Sequence, residues 1–230
     1  MTNKWLKVAL MATAIATGTS INIDAETVLY VPQDDRPVSL QYTVDTAREA
    51  GMTVLTPPQN LISGKTYQGQ ADQIMAWVEQ NAGRADVMVL STDTLIYGGL
   101  VDSRKHNIPL TTLESRLKRI EGLKARHKNV RIYGFGTVMR SPRASGGGTE
   151  PAYYAEYGPT IFQIAALQDK LDSGSLTQEE TQKLMSLQAS VPVEYLQDWF
   201  DRRQKNMKIN KELIDETRSG VFDYFALGHD

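Results

Sequence analysis

The sequence predicts an α/β fold: a mainly parallel sheet with helices on both faces. Segments rich in Val, Leu, Tyr and Phe, without clean alternation of apolar and polar residues, are typical of strands buried on both sides. They alternate with segments whose apolar residues recur at helical spacing, which indicates β-α-β units joined by right-handed crossovers. This order fits an open doubly wound sheet, or the first strands of a partial (β/α)8 barrel, and the sequence leaves both open.

The first part of the chain alternates regularly between strands and helices. Gly51 and Gly83 end the first two helices, because glycine tolerates the left-handed conformation at a helix C-terminus. Thr111 and Glu114 have the spacing of a capping box at the start of the third helix. The predicted elements are strands at 27–31, 52–55, 86–90 and 130–135 and helices at 40–50, 71–82 and 111–126.

A helical insertion at about residues 151–219 precedes the last predicted strand, at 222–227. A loop rich in Pro, Ser and Gly at 141–150 leads into it, and its length predicts a functional or mobile segment. Thr177 and Glu180 form a second capping box. The insertion should form a lid or a side wall, with helices at 154–171, 177–189 and 193–218.

Composition excludes several classes of protein. The 230 residues carry a formal net charge of -2, with 41% apolar and 23% charged residues, so no basic footprint for nucleic acid is present. The absence of cysteine excludes disulfides and thiolate metal sites. His106, His127 and His229 lack the spacing of a histidine zinc site, and neither a P-loop nor a G-x-S-x-G motif occurs.

The N-terminus has the pattern of a secretory signal peptide. Lys4 and Lys7 precede an apolar stretch at 8–17, which is shorter than the roughly 20 residues of a membrane-spanning helix. Residues 1–25 are therefore predicted to be a signal peptide, cleaved after Ala25 or Ser20, although an uncleaved anchor is an alternative. Residues 26–230 would then form a secreted or periplasmic domain that has no stable membrane insertion.

Polar side chains follow the predicted strands where each strand ends. Asp34, Asp35 and Arg36 follow the first strand, and a segment from Asp93 to Arg104 follows the third. Ligands and catalytic groups gather at the carboxyl ends of parallel strands, because the loops there vary without disturbing the core. The residues predicted to bind substrate at this rim are Asp35, Arg36, Tyr97, Arg104, Arg140 and Asp230.

Asp34 and Asp93 are predicted to be the catalytic pair. Two carboxylates near an arginine suit general acid and base chemistry, or a hard divalent cation. Gly98 and Gly99 allow the backbone to turn tightly or to approach a ligand. Each segment also has a purely structural interpretation: hydrogen-bonded Asp side chains in a turn before Pro37, and a Gly-Gly turn with a surface ion pair.

Five segments resemble the exported bacterial proteins grouped as domain of unknown function 4127. They are VLYVPQDDRPVSL (28–40), STDTLIYGGLVDSR (91–104), YGFGTVMRSP (133–142), DRRQKNMKIN (201–210) and DYFALGHD (223–230). The resemblance gives weight to residues that include Asp34, Asp93 and Arg140, while Gln33 and His229 depart from the expected pattern. Members of the family are usually longer, which implies an N-terminal fragment.

The resemblance adds three residues of the insertion, Arg203, Asn206 and Asn210, to the candidate substrate-binding set. Their spacing of three and four places them on one helix face. That face would project toward the strand ends, where the amides need partners, or would be a solvated surface. The resemblance itself supplies no reaction.

These observations predict an exported hydrolase that acts on a polar, carbohydrate-containing substrate. Glycosidases use two carboxylates and grip the sugar hydroxyls with polar side chains. No cofactor or resident metal is expected, and the predicted partner is a small molecule or glycan, not nucleic acid. The alternatives are a non-enzymatic protein that binds glycans or cell-wall fragments, and a hydrolase that depends on Mg²⁺ or Ca²⁺.

Overall fold

A computed structural model describes residues 25–144 and 147–229 of the chain. These residues form one sheet of parallel strands in the order β2-β1-β3-β4-β5. The sheet is open, with β2 and β5 at its edges, so the predicted α/β class is confirmed in its doubly wound form. The strands are β1 (Thr27–Val31), β2 (Thr53–Leu55), β3 (Val87–Ser91), β4 (Arg131–Val138) and β5 (Tyr224–His229).

The predicted helices are present within a few residues of their expected bounds. In chain order the helices are α1 (Gln41–Glu49), α2 (Ala71–Asn81), α3 (Thr92–Tyr97), α4 (Leu100–Lys105), α5 (Leu110–Arg126), α6 (Tyr154–Asp172), α7 (Gln178–Ala189) and α8 (Val193–Arg218). Single 3₁₀ turns lie at Gln59–Leu61 and Ala82–Arg84. Residues 1–24, which include almost all of the expected signal peptide, and Asp230 lie outside the described part.

Two local predictions are corrected by the structure. The segment after β3, in which no helix was predicted, forms α3 and α4, which have six residues each and are too short to show a helical period. The capping box at Thr111 is wrong, because α5 begins at Leu110 after Pro109 and has no side-chain cap. The capping box of Thr177 and Glu180 is confirmed at the start of α7.

Helices cover the two faces of the sheet unequally. The connection from β1 to β2 runs in one direction across the sheet, and the later connections run in the other direction. Because the crossovers are right-handed, α1 lies on one face of the sheet and α2, α5 and α8 lie on the other face. The main core lies between the sheet and these three helices. It contains Leu29, Met88, Leu90 and Ile132 from the strands and Ile74, Leu117, Ile209 and Leu213 from the helices.

The opposite face is only partly covered. Between α1 and the strands lies an apolar groove of 290 Å³, lined by Val28, Tyr30, Val89 and Tyr133 among others. Tyr224 of the edge strand β5 pairs in register with Tyr133 and is 63% exposed. The sheet therefore presents apolar side chains to solvent on this side.

The insertion has a hydrophobic cluster of its own. The Tyr154 ring stacks on Trp199 at a centroid distance of 4.3 Å, and Ile161, Ile164 and Leu184 pack around the pair. The long helix α8 joins both clusters, because its first half contributes Trp199 and its second half contributes residues to the main core. Among the described helices, none is long and apolar enough to cross a membrane.

Candidate functional site

The candidate site lies at the carboxyl ends of β1 and β3. After β1 the chain forms β2 on one side of it, and from β3 onward the strands are added on the other side. The adjacent strands β1 and β3 therefore flank the topological switch point of the sheet. Loops that leave two such strands separate in opposite directions and open a crevice, where open α/β sheets bind their ligands. The connection after β1 begins at Pro32, and α3 begins directly after β3, at Thr92.

Asp93 directly follows the end of β3 at this switch point. It lies in the first turn of α3 and is only 2% exposed. Its Oδ2 accepts a hydrogen bond from Gln33 Nε2 at 2.9 Å, and another from Thr137 Oγ1 at 2.9 Å. One carboxylate oxygen therefore joins the ends of β1, β3 and β4. Gln33 and Thr137 were not among the predicted site residues. The only feature of the sequence that drew attention to Gln33 was its departure from the family pattern.

The loop after β1 separates the two adjacent carboxylates. Asp34 is buried and accepts hydrogen bonds from the backbone N and the Nε of Arg36, with an ion pair of 2.7 Å. Asp35 points elsewhere and accepts a hydrogen bond from the Tyr67 hydroxyl. Its own backbone N donates to Ser63 O at 2.9 Å. Of the two, Asp34 is thus the partner of Arg36, and Asp35 anchors the segment after β2.

Glycines bring that segment close to the end of α3. Gly98 has a φ of 111°, the left-handed conformation that ends α3 and favours glycine. A Cβ at Gly99 would lie 1.8 Å from Ser63 Oγ, and a Cβ at Gly69 would lie 2.0 Å from Gly98 O. A larger residue would therefore collide with the Ser63 side chain at Gly99 and with backbone at Gly69.

Arginines gather around the buried carboxylate of Glu150. Arg140 donates to its Oε1 through Nε at 3.0 Å and through Nη2 at 2.5 Å, and the Arg104 Nη1 lies 3.9 Å away. Thr149 Oγ1 donates to the other oxygen at 2.8 Å. Arg104 and Arg140 thus converge at this rim. Glu150 was not predicted to be a site residue. The sequence feature that could have indicated it is its position as the acidic residue at the end of the Gly-rich loop.

The helix α8 turns the face of Arg203, Asn206 and Asn210 toward the strand ends. Arg203 donates to the carbonyl oxygen of Arg140, and Asn210 Nδ2 donates to Thr137 O at 3.3 Å. Asn206 Nδ2 donates to Ser103 O at 2.9 Å. Both amides satisfy backbone carbonyls, so they hold α8 against the rim and do not form a solvated surface.

Arg203 has an unusual environment for a guanidinium. Its Cζ lies 3.2 Å from the centroid of the Trp199 ring, a cation–π contact that offsets part of the cost of burial. Desolvation lowers the pKa of Arg203 to about 9. The neighbouring Arg202, not predicted, donates to His106 O at 2.7 Å and to Asn107 Oδ1 at 2.9 Å.

Tyr97, predicted to bind substrate, is a buried residue of α3. Its hydroxyl is buried and has no hydrogen-bond partner among the described residues. Burial raises the pKa of Tyr97, and the carboxylate of Asp93 raises it further. Its ring stacks on His106 at 4.9 Å. With its hydroxyl buried, Tyr97 presents no donor to a substrate at the rim.

The remaining predicted features concern Asp230 and metal ligands. Asp230 lies outside the described residues. Within residues 25–144 and 147–229, no group of three or more His, Asp or Glu side chains has the arrangement of a metal site. The rim combines carboxylates, guanidinium groups and hydroxyls, a set that can bind polar ligands and transfer protons.

Comparison with known proteins gives a family and no individual relative. No curated protein and no solved structure matches the chain. A family model described as "Protein of unknown function (DUF4127)" matches residues 28–230, nearly the whole chain. The chain therefore belongs to the DUF4127 family.

Proposed function

We propose that the crevice between β1 and β3 hydrolyses a polar, carbohydrate-containing substrate. The observation that carries the proposal is the position of Asp93, a buried carboxylate at the switch point of the sheet. Two neutral donors from neighbouring strands hold the same oxygen, Oδ2, and so fix the orientation of the carboxylate. A fixed carboxylate suits the role of base or nucleophile, because catalysis requires a defined geometry.

Asp34 is the proposed second carboxylate. It follows the same strand end as Gln33, which contacts Asp93, so both acids belong to adjacent loops of one crevice. The Arg36 side chain that pairs with Asp34 is 54% exposed, which leaves this ion pair accessible to a polar substrate. Arg104 and Arg140 at the rim supply donors for hydroxyl or carboxylate groups of the substrate.

Replacement of Asp93 by Asn tests the proposal. The amide oxygen of Asn can take the position of Oδ2 and accept the hydrogen bonds from Gln33 and Thr137, so we expect the D93N variant to lose the charge and to retain the fold. The wild-type protein is incubated with a panel of oligosaccharides and cell-wall fragments, and products are detected by mass spectrometry. We expect turnover to fall by about 10²–10⁴-fold in D93N, the usual contribution of an acid or base.

Asp34→Asn is the second test variant, and Asp215→Asn, a change at an exposed carboxylate of α8, is the matched control. Full turnover in both D93N and D34N would exclude these carboxylates from catalysis. A loss of activity on addition of chelator, restored by Mg²⁺ or Ca²⁺, would instead support a metal-dependent reaction.

Glycan binding without hydrolysis is the second candidate function. It is favoured by the Arg36–Asp34 ion pair, because a charged pair that is held in place and is partly exposed suits a rigid binding surface. Calorimetric binding of a glycan with no product in mass spectrometry would favour this function. In both cases we propose that the protein acts outside the cytoplasm, since its N-terminus has the pattern of a signal peptide. Cell fractionation checks that location.

A further inference from the structure

A second polar pocket lies outside the strand-end crevice. It has a volume of 340 Å³ and opens between the N-terminal ends of α2 and α5. This volume is within the range of about 300–1,000 Å³ that is usual for small-molecule sites. Its walls come from the segment before α2, from α4 and from the start of α5, and they include Gly69, Asp102, His106, Thr112 and Arg116.

Asp102 is the central group of this pocket. It is only 6% exposed. Oδ2 accepts a hydrogen bond from Gly69 N at 3.0 Å. Within residues 25–144 and 147–229, no arginine, lysine or histidine forms an ion pair with Asp102. A buried carboxylate usually has a charged partner or several donors, so Asp102 retains capacity to accept from a ligand.

The cationic groups near Asp102 are committed to other partners. Arg116 forms two hydrogen bonds with Asp72, at 3.1 and 2.6 Å, and a third with Ile96 O at 2.7 Å. Lys105, on the same helix as Asp102, donates through Nζ to Gly148 O at 3.0 Å. Desolvation raises the pKa of Asp102, and it outweighs the lowering by the Gly69 hydrogen bond and by the charge of Lys105.

His106 is an uncharged part of the pocket wall. His106 Nδ1 accepts a hydrogen bond from Ile108 N at 3.2 Å, so Nε2 carries the proton and donates to Asn206 Oδ1 at 2.8 Å. Burial lowers the pKa of His106 to about 4, which keeps the ring neutral near neutral pH. The imidazole therefore offers a ring surface and does not compete with a cationic ligand for Asp102.

We propose that this pocket binds a small molecule through a protonated amine, with Asp102 as its counter-ion. An ammonium group supplies both the charge and the several N–H donors that the Asp102 carboxylate lacks. Thr112 and the other polar residues of the wall are placed to contact hydroxyl groups of such a ligand. The inference is independent of the proposed hydrolysis in the crevice.

Glucosamine and glucose form the matched pair of probes, because they differ in one amine against one hydroxyl. Binding to the full chain is measured by calorimetry at a pH that keeps the amine protonated, with N-acetylglucosamine as a neutral third probe. We expect saturable binding of glucosamine that is at least about tenfold tighter than binding of either neutral sugar. Equal affinity for glucose, or no binding of glucosamine, would overturn the proposal.

Two variants locate the binding within the pocket. Asp102→Asn keeps an acceptor for Gly69 N and removes the charge, so the affinity for glucosamine should fall at least about tenfold. Thr112→Phe places a larger side chain in the pocket wall, at a half-buried position at the start of α5, and should cause a similar loss. Asp215→Asn is the control with unchanged affinity. Undiminished binding in Thr112→Phe overturns the proposal even where Asp102→Asn fails to fold.

Discussion

Replacement of Thr137 by Val tests whether Asp93 holds the three strand ends together. Valine has nearly the same shape as threonine and is equally compatible with a strand, so the change removes the hydroxyl and little else. The lost contact is the 2.9 Å hydrogen bond from Thr137 Oγ1 to Asp93 Oδ2. The backbone of residue 137 remains paired with β5 in the same register.

The expected loss follows from the surroundings of this bond. A hydrogen bond to a charged group contributes about 1.5–3 kcal/mol, and Thr137 is only half-buried, which favours the lower end of that range. Asp93 also keeps its second donor, Gln33, at 2.9 Å, so the carboxylate is not left without a partner. We therefore expect the free energy of unfolding to fall by about 1.5 kcal/mol.

Urea unfolding at neutral pH measures this loss, and a double-mutant cycle with Asp93→Asn isolates the contact. The coupling energy should be about 1 kcal/mol, because Asn can still accept the bond but carries no charge. Thr53→Val, on the exposed edge strand β2, is the matched control and should change stability by less than about 0.5 kcal/mol. A loss at Thr137 as small as that of the control would refute a connecting role for Asp93.

Three further predictions concern other parts of the fold. Burial lowers the pKa of His106 to about 4, below the value of about 6.5 for an unfolded chain. The unfolded state therefore takes up the proton first, wild-type stability falls as the pH drops from about 6.5 to 4, and urea titrations of His106→Gln should show a smaller fall. Gly99→Ala should cost about 1–3 kcal/mol of unfolding free energy through overlap with Ser63, and Ser63→Gly should restore much of it. Trp199→Ala should cost about 3–5 kcal/mol in thermal or urea unfolding, because it removes a fully buried indole from the stack with Tyr154.

The long elements of the fold could be predicted because each carries a local signal. β1 and α8 have the predicted bounds, 27–31 and 193–218, since an apolar run and a long amphipathic period define them without reference to the rest of the chain. The choice between an open sheet and a barrel depends on how the strand edges pair over long range, and no local pattern reports that. The short helices α3 and α4 were missed because six residues do not complete two helical turns and so show no helical period.

The candidate site was predictable in its location more than in its contacts. The acids at 34 and 93 follow strand ends, and parallel pairing brings such ends to one edge of the sheet. Which side chains meet Asp93 depends on strand order, because Gln33 and Thr137 contact it from the two strands beside β3. Glu150 joins Arg140 through the conformation of the Gly-rich loop, which sequence spacing does not determine.

The half-covered sheet face has a practical consequence for handling the protein. An exposed apolar surface promotes self-association and binds hydrophobic dyes even in a fully folded chain. Tyr224 stands on this face with most of its area in solvent and near the free edge of β5, so a charged residue there disturbs no buried contact. Tyr224→Lys is therefore a sound first substitution for a preparation that stays dispersed at high concentration, and it leaves the strand-end crevice untouched.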